Sequence, residues 1–375
     1  MADVAICKIS NEKVMARINN MKPSILYLLT SLNTTGGTVS KIKSTLKFTD
    51  YHVFIGAHYN SDDDEILKCW EQEKNVQVIN LPSRGNIFKS VHLLHNVIRK
   101  EKISMVHSFF PNEMFVAYLL KQLDPNLKII RSFEGNVKRS FPVRALSRMM
   151  LPSFDEVIFI SKYVSDFYDD ITRKCKNRTI VDNAGYHISE YQRRDKGEIC
   201  TIVSVAGLNP MKNVFMYAEI GRVLKTRNFS YKIKIVGYGP LENELRERIV
   251  SYQIQDSVIL LGMQNDPKPF YKEADIYIHP ADKEGFGITV AEAMSAGLPV
   301  IVSDRGGVPE LVNHMEDGII VDAYNPHEWA DYIIKLWDDR ELYDKLSKNG
   351  HNTYLSRFTP KMYAKNLDRI YDNLV

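Results

Sequence analysis

Two glutamates, Glu284 and Glu292, stand eight positions apart around a Gly-Phe-Gly turn, and a second glycine pair, Gly306-Gly307, follows them. Backbone N–H groups at glycine-rich turns that open helices bind phosphates, and carboxylates accept hydrogen bonds from sugar hydroxyls. Few ligands other than a nucleoside diphosphate sugar need both groups. The segment KEGFGITVAEAMSAGLPVIVSDRGGVPE, residues 283–310, therefore predicts a nucleotide-sugar site.

A second interpretation exists for Glu292. The run Thr289-Val290-Ala291-Glu292 has the spacing of a capping box, in which Glu292 would close the N-terminus of a helix that ends at Gly297-Leu298-Pro299. We favour ligand binding, because Glu284 and two glycine-rich turns accompany Glu292 in the same short segment.

Further candidate residues for phosphate binding lie elsewhere in the chain. Gly36 and Gly37 follow the first apolar run, where they let the backbone approach a ligand; a plain strand-to-helix turn is the alternative. Lys212, in GLNPMKN, follows another apolar run and is placed to meet a diphosphate. Gly237-Tyr238-Gly239 begins a dinucleotide fingerprint, but Glu242 occupies the third glycine position, which disfavours a nicotinamide enzyme.

We predict no metal and no cofactor. Asp62, Asp63 and Asp64 contain an Asp-x-Asp spacing, but an apolar stretch follows and favours acidic residues in the first turn of a helix. The four cysteines form no CxxC pair, which is typical of reduced thiols in a cytoplasm.

The segment at residues 137–151, VKRSFPVRALSRMML, carries four basic residues and no acid, interleaved with apolar side chains. One hypothesis is peripheral contact with an anionic membrane. The alternative is a helix that packs its apolar face inward and leaves a solvated basic face.

Apolar runs alternate with amphipathic stretches from Pro23 onward, and the rhythm restarts after YQRRDKGE at residues 191–198. Buried parallel strands with helical crossovers have this pattern. We predict an α/β protein of two Rossmann-like, doubly wound domains facing a cleft, at residues 23–187 and 188–358. Residues 1–22 form an N-terminal extension, and a last helix is expected in residues 359–375.

Composition limits the class of protein. The net charge is only +3 over 375 residues, and no basic-aromatic module is present, so nucleic acid is not an expected partner. No apolar run approaches the ~20 residues of a membrane-spanning helix, and the N-terminus lacks the apolar stretch of a signal peptide. We expect a cytoplasmic protein, with peripheral contact to the inner face of the membrane as an extension of that hypothesis.

With these motifs the chain resembles the family 4 glycosyltransferases, retaining enzymes of the glycosyltransferase group 1 with the two-domain GT-B fold. The resemblance runs from about Pro23 to the end. Its most specific part is Glu284-x7-Glu292 within EGFGITVAEAMSAGLPVIVSD, followed by GGVPE at residues 306–310. VHSFFPN at residues 106–112, VGYGP at residues 236–240 and YKEADIYIHP at residues 271–280 support it.

The resemblance implies a role for each matching residue. Glu284 would contact the donor sugar, Glu292 the ribose, and Lys212 the diphosphate. The remaining donor-site positions are backbone contacts, at Gly36, Gly37, Met263, Gly285, Phe286, Gly287, Ile288 and Thr289. The family's terminal helix crosses back onto the N-terminal domain, the acceptor side, and residues 359–375 match it.

Two positions depart from the family's pattern. Gly207 stands where an arginine usually precedes the lysine, and Arg305 is a candidate substitute. Glu134, in Phe133-Glu134-Gly135, stands where many members have a histidine before glycine. We predict that Glu134 takes part in catalysis on the acceptor side, where it binds a hydroxyl of the acceptor or acts as a polar partner.

The expected reaction is transfer of a sugar, with retention, from a UDP-linked donor to a glycan or lipid-linked acceptor in cell-surface polysaccharide biosynthesis. Two alternatives remain open at this point. One is a UDP-sugar epimerase of the same fold, and the other is a nucleotide-sugar binding protein that has lost catalysis.

Overall fold

The structure of the chain is a computed structural model that describes residues 22–33, 37–59, 64–73, 75–82, 86–192 and 195–375. Gly36, Asp62 and Asp63 lie outside the described residues, as does almost all of the predicted N-terminal extension.

The described part of the first half forms a seven-stranded sheet in which every neighbouring pair is parallel, in the order β3-β2-β1-β4-β5-β6-β7. The strand order reverses beside β1, as in a doubly wound sheet. The strands are β1 Ser24–Ser31, β2 His52–His58, β3 Val76–Asn80, β4 Ile103–Ser108, β5 Lys128–Phe133, β6 Glu156–Phe159 and β7 Arg178–Ile180.

The second half repeats the design with a six-stranded parallel sheet in the order β10-β9-β8-β11-β12-β13, and the predicted fold class is confirmed. The predicted joint at residues 187–188 lies between β7 and β8. The strands are β8 Cys200–Val205, β9 Tyr231–Val236, β10 Val258–Leu260, β11 Ile276–His279, β12 Val300–Ser303 and β13 Ile319–Val321.

Helices connect the strands and cover both sheets. Those of the first half are α1 Gly37–Leu46, α2 Asp64–Glu71, α3 Ile87–Glu101, α4 Pro111–Leu123, α5 Phe141–Met150, α6 Lys162–Phe167 and α7 Asp169–Thr172. Those of the second half are α8 Phe215–Thr226, α9 Glu242–Ser251, α10 Lys268–Glu273, α11 Ile288–Ser295, α12 Pro326–Asp338 and α13 Arg340–Thr353. A π-helical turn, Tyr354–Phe358, leads into the last helix, α14 Pro360–Asp372.

Helix α14 packs against the first half of the chain, although it follows the second half in sequence. The Tyr371 hydroxyl lies 2.9 Å from that of Tyr27 and 2.7 Å from Nδ1 of His107. The hydroxyl of Thr49 donates to Asp368 at 2.7 Å. These hydrogen bonds join the end of the chain to β1, to β4 and to the segment before β2.

One buried apolar cluster is continuous across the two halves. It contains Phe159 and Ile160 at the end of β6, and Phe286 and Val308 from the glycine-rich segments of the second half. Burial of these side chains holds the two sheets together, with their strand ends facing the same gap.

Candidate functional site

The glycine-rich loop between β11 and α11 is held by close backbone contacts. Gly307 donates its N–H to the carbonyl of Glu284 at 2.8 Å. A Cβ on Gly307 would lie only 2.2 Å from the carbonyl oxygen of Gly285, so only glycine fits there. Gly287 has φ 106°, a conformation that glycine adopts without strain, and α11 begins at the next residue. The two glycine pairs therefore build one compact turn.

Glu284 is the charged centre of this loop. Its carboxylate forms an ion pair with Lys212, whose position is set by a short 3₁₀ turn capped by Asn209. Nε2 of His279 lies 3.5 Å from Glu284 Oε2, and the N–H of Gly285 donates to Oε1 at 3.1 Å. Burial alone would raise the pKa of Glu284, but His279 and Lys212 outweigh it and hold that pKa below its usual range. Glu284 is therefore an anion.

A cavity of about 400 Å³ lies beside the first turn of α11, between the two halves. Its lining includes Gly37 from the first half and Gly207, Met263 and Thr289 from the second. We call it the donor cavity. Met263 is exposed at its rim. Among the described residues that line it, none has a cationic side chain.

Arg305 does not supply the cation that is missing at Gly207. Its guanidinium lies 3.4 Å from Asp304 and 5.6 Å from the ring centroid of Tyr324, and Arg305 is not part of the cavity lining. Lys212 is not part of that lining either, and the N-terminus of α11, at Thr289, is the positive group that borders the cavity.

The first turn of α11 faces Gly37 from the opposite half. A Cβ on Gly37 would lie 3.3 Å from Cδ1 of Ile288. The N–H groups of Ile288 and Thr289 stand in the first turn, where no carbonyl of the helix can accept from them. The hydroxyl of Tyr277 donates to Thr289 Oγ1 at 2.8 Å and fixes that side chain. The arrangement can bind an anion through backbone donors.

The capping-box interpretation of Glu292 is wrong. Helix α11 begins at Ile288 with Gly287 as its N-cap and no side-chain cap, so Thr289 lies inside the helix. The Glu292 carboxylate, 6% exposed, instead accepts from the hydroxyl of Tyr271 at 2.9 Å and from the backbone N–H of Tyr186. Burial raises its pKa to about 7, and those two donors only partly offset that effect. Glu292 is not among the residues that line the donor cavity.

Glu134 lies in the first half of the chain, next to the Glu284 loop. Its Oε2 is 2.5 Å from the buried ammonium of Lys41, while its Oε1 has no hydrogen-bond partner. Glu134 and Gly135 line a second cavity of about 490 Å³ in the first half. A Cβ on Gly285 would lie 3.2 Å from the Cα of Gly135, so this cavity adjoins the loop that carries Glu284.

Several contact residues of the site escaped the sequence interpretation. Ser161 donates its hydroxyl to the carbonyl of Gly285 at 2.6 Å. Glu310 accepts from the N–H groups of Lys162 and Tyr163, both at 2.7 Å. His279 was detectable in principle, because it is the last residue of β11 and strand ends carry ligand-binding residues in such folds.

Phe286 is a core residue rather than a ligand contact through its side chain. Its ring is buried against Phe358, with a centroid separation of 5.6 Å. Only its backbone is available to a ligand at the glycine-rich turn.

Most apolar side chains of helix α5 face outward, whereas Met150 and the following Leu151 are buried, so the inward-packing hypothesis for residues 137–151 holds only at the end of the segment. Phe141 is 83% exposed and Met149 64% exposed. The guanidinium groups of Arg144 and Arg148 both contact Asp170, which ties the basic side of the helix to α7. The Arg148 side chain is still 53% exposed, so the outward surface of the helix carries both apolar and basic groups.

Within the described residues, no group of three or more His, Cys, Asp or Glu side chains is arranged to hold a metal ion. In the same part of the chain, none of the helices combines the length and apolarity needed to cross a membrane.

Comparison with known proteins finds a family model that matches part of the second half of the chain. A family model described as glycosyl transferases group 1 matches residues 190–353. Across 348 residues the chain is 23% identical to an uncharacterized glycosyltransferase of Methanocaldococcus jannaschii, covering 90% of this chain and 93% of the relative. It is also 26% identical to the alpha-monoglucosyldiacylglycerol synthase of Streptococcus pneumoniae, covering 72% of this chain and 65% of that enzyme.

Solved structures show the same fold. The crystal structure of HepE from Anabaena in complex with UDP and glucose superimposes with a TM-score of 0.76 at 17% identity, and the match covers 94% of this chain and all of HepE (100%).

Proposed function

We propose a function on the premise that the chain belongs to the group 1 glycosyltransferases. It moves a sugar from a UDP-linked donor to a hydroxyl of a glycan or lipid-linked acceptor. The configuration at the anomeric carbon is retained. The observation that carries the proposal is the Glu284–Lys212 ion pair in the glycine-rich loop. This pair lies at the gap between the halves, with the acceptor-side wall at Gly135 in contact with the same loop.

The leaving group dictates where positive charge is needed. Breaking the bond between sugar and diphosphate builds negative charge on the phosphate. The ammonium of Lys212 and the free N–H groups of Ile288 and Thr289 supply fixed positive charge on that side. Because Gly207 contributes no side chain, Lys212 and the N-terminus of α11 carry the task together.

Glu284 serves the sugar side. A carboxylate held ionised by Lys212 and His279 accepts hydrogen bonds from sugar hydroxyls and orients the ring. We expect the acceptor hydroxyl to attack from the face of the leaving group and to pass its proton towards a phosphate oxygen. No enzyme nucleophile is then required. Glu134, paired with Lys41, lies on the acceptor side and has one free carboxylate oxygen for an acceptor hydroxyl.

The acceptor side also includes the proposed contact with a membrane. The outward apolar face of α5 supports peripheral binding through residues 137–151. Such contact would fit an enzyme of cell-surface polysaccharide biosynthesis that works on the inner face of the membrane.

The nucleotide-sugar binding protein without catalysis remains the second candidate, because no cationic side chain lines the described part of the donor cavity. An epimerase of the same fold would convert the donor without an acceptor. Neither alternative explains a second cavity that adjoins the Glu284 loop.

Two experiments test the proposal. A thermal-shift screen across UDP, GDP and ADP sugars identifies the donor, since a ligand at 100 times its dissociation constant stabilises by ~2.7 kcal/mol. Analysis of products with and without a pool of lipid-linked glycans then separates transfer from epimerisation. Stabilisation by a donor with no product in either reaction would support the binding protein instead.

A further inference from the structure

The second cavity, of about 490 Å³, extends away from the Glu284 loop towards the surface of the first half. Its inner end is formed by Glu134 and Gly135, and Thr38 borders it next to Gly37 of the donor cavity. Its outer end is bordered by Val137 and Val143. A molecule in this cavity would therefore reach from the reacting sugar to the surface that carries α5.

Arg131 lines this space and carries an unpaired donor. It lies within β5, is 2% exposed, and one Nη donates to the carbonyl of Ser108 at 3.2 Å. Its Nε is buried and has no hydrogen-bond partner, although the residue lines the cavity. A buried donor of a charged group without an acceptor is costly, so its presence indicates an acceptor that arrives with a ligand.

Arg139 repeats the feature across the same cavity. Its Nε is also buried without a partner, and the residue also lines the cavity. Burial and the neighbouring charge of Arg139 lower the pKa of Arg131 to about 9. Two guanidinium groups thus face one cavity close enough to repel each other.

The acidic groups nearby do not neutralise both arginines. Glu134 is already paired with Lys41 at 2.5 Å. Glu113 lies close enough to raise the pKa of Arg131, but its buried Oε2 has no hydrogen-bond partner. This set of charged groups has three cations and two anions: Lys41, Arg131, Arg139, Glu113 and Glu134. An oxyanion would balance the set and supply acceptors to the forked donors of arginine.

Much of the rest of the lining is apolar, and its polar members are Thr38, Asn112, Ser140 and Tyr168. Phe109, Phe110 and Phe133 form walls, and the guanidinium of Arg131 lies 4.8 Å from the ring centroid of Phe133. Val137 and Val143 at the outer end are exposed and adjoin the outward face of α5. The cavity therefore offers a cationic interior and an apolar exit beside the exposed Phe141 and Met149 of α5.

We propose that the acceptor is an anionic amphiphile, a lipid phosphate or diphosphate, whose oxyanion lies between Arg131 and Arg139 while its hydrocarbon chain leaves over Val137 and Val143. This inference rests on the proposed function for its role in transfer, but the binding site stands on the geometry of the first half alone. A carboxylate on a soluble glycan has the same charge, but it would leave the apolar exit unused.

The test uses the full chain and octyl phosphate, kept below its critical micelle concentration, as the probe in titration calorimetry. We expect the wild type to bind octyl phosphate, and Arg139→Met to bind about tenfold more weakly or worse, as befits the loss of a charge-assisted contact. Lys138→Met is the matched control, because Lys138 is adjacent and exposed but does not line the cavity. It should bind like the wild type.

Two further probes test the hydrocarbon chain and the anionic group of the ligand one at a time. Octanol has the chain without the charge, and soluble glucuronate has a charge without the chain. We expect octanol to bind no better to the wild type than to Arg139→Met, and glucuronate to bind more weakly than octyl phosphate. Equal losses of affinity for octyl phosphate in Arg139→Met and Lys138→Met would rule out the proposed site. If glucuronate binds as tightly as octyl phosphate, the proposal that the ligand is a lipid would be rejected.

Measurements of UDP binding distinguish a failure of this proposal from a failure of the proposed function. Stabilisation by UDP should be unchanged in Arg139→Met, because Arg139 does not line the donor cavity. Absence of UDP binding in the wild type would count against the proposed function, whatever octyl phosphate does. Arg131→Met would leave a hole in the core, so Arg139 is the residue to change first.

Discussion

Lys212 and Glu284 form an ion pair across 72 positions of sequence, between a 3₁₀ turn after β8 and the loop after β11. Since β8 and β11 are neighbours in the sheet, the two loops meet at the carboxyl ends of adjacent parallel strands. The pair holds a carboxylate ionised in a largely buried position, beside the turn that opens α11.

Replacing Glu284 by Gln should abolish most transfer activity while the protein remains folded. The amide keeps the shape but loses the charge that orients the sugar, and we expect turnover to fall about 100-fold or more. Initial rates with the identified donor and acceptor measure it. Glu273→Gln, at an exposed ion pair with Lys234, is the control and should keep full activity. Normal turnover by Glu284→Gln would remove this residue from the chemistry.

Glu292 should make the wild type less stable as the pH rises. The pKa of an unperturbed glutamate is 4.5 and that of Glu292 in the fold is about 7, so between these values the folded state holds a proton that the unfolded state has lost. Stability from this group is full below 4.5 and declines up to about 7, by on the order of 3 kcal/mol. Denaturant unfolding of the wild type and Glu292→Gln at pH 5 and pH 8 measures the difference.

Glu292→Gln should gain stability relative to the wild type between those two pH values, whereas Glu247→Gln, at an exposed position of α9, should not. An identical pH dependence of all three proteins would contradict the buried acid. The affinity for UDP at pH 8 checks the ribose role separately. A role in ribose binding requires weaker UDP binding in Glu292→Gln, and an unchanged affinity would exclude it.

Gly307→Ala should destabilise the protein and displace the Glu284 loop. Its Cβ would lie 2.2 Å from the Gly285 carbonyl, and relief of that overlap costs about 1–3 kcal/mol. The melting temperature and the affinity for the donor should both fall. Gly197→Ala is the matched control, since its Cβ would meet nothing closer than 3.9 Å. A wild-type melting temperature in Gly307→Ala would show that the loop is not packed as described.

The exposed face of α5 should bind anionic vesicles. Changing both Phe141 and Met149 to Ser should weaken co-sedimentation with anionic phospholipid vesicles by about tenfold or more, because two large apolar side chains no longer enter the interface. Val250 and Leu355, exposed elsewhere, form the control pair when changed to Ser. Stability should not change in either double variant. Equal vesicle binding by both would reject this helix as the membrane contact.

Much of the fold was predictable because parallel strands buried on both faces leave a local signal. Twelve apolar runs in the sequence correspond to strands, and the GT-B architecture is confirmed. The exception is β7, Arg178–Ile180, a three-residue strand with two exposed residues at the edge of its sheet. An edge strand is solvated on one side, so its sequence need not be apolar.

The sequence by itself determined what local chemistry requires: two glycine pairs where the backbone must pass closely, Glu284 beside them, and a helix that opens at the same turn. Only the tertiary structure decided which distant groups meet. The partners of Glu284, the burial of Glu292 beneath Tyr271, and the convergence of Arg131 and Arg139 depend on strand order and on packing between the halves. Spacing along a chain constrains neighbours within a turn or a helix, whereas contacts across a sheet are selected by the free energy of the whole fold.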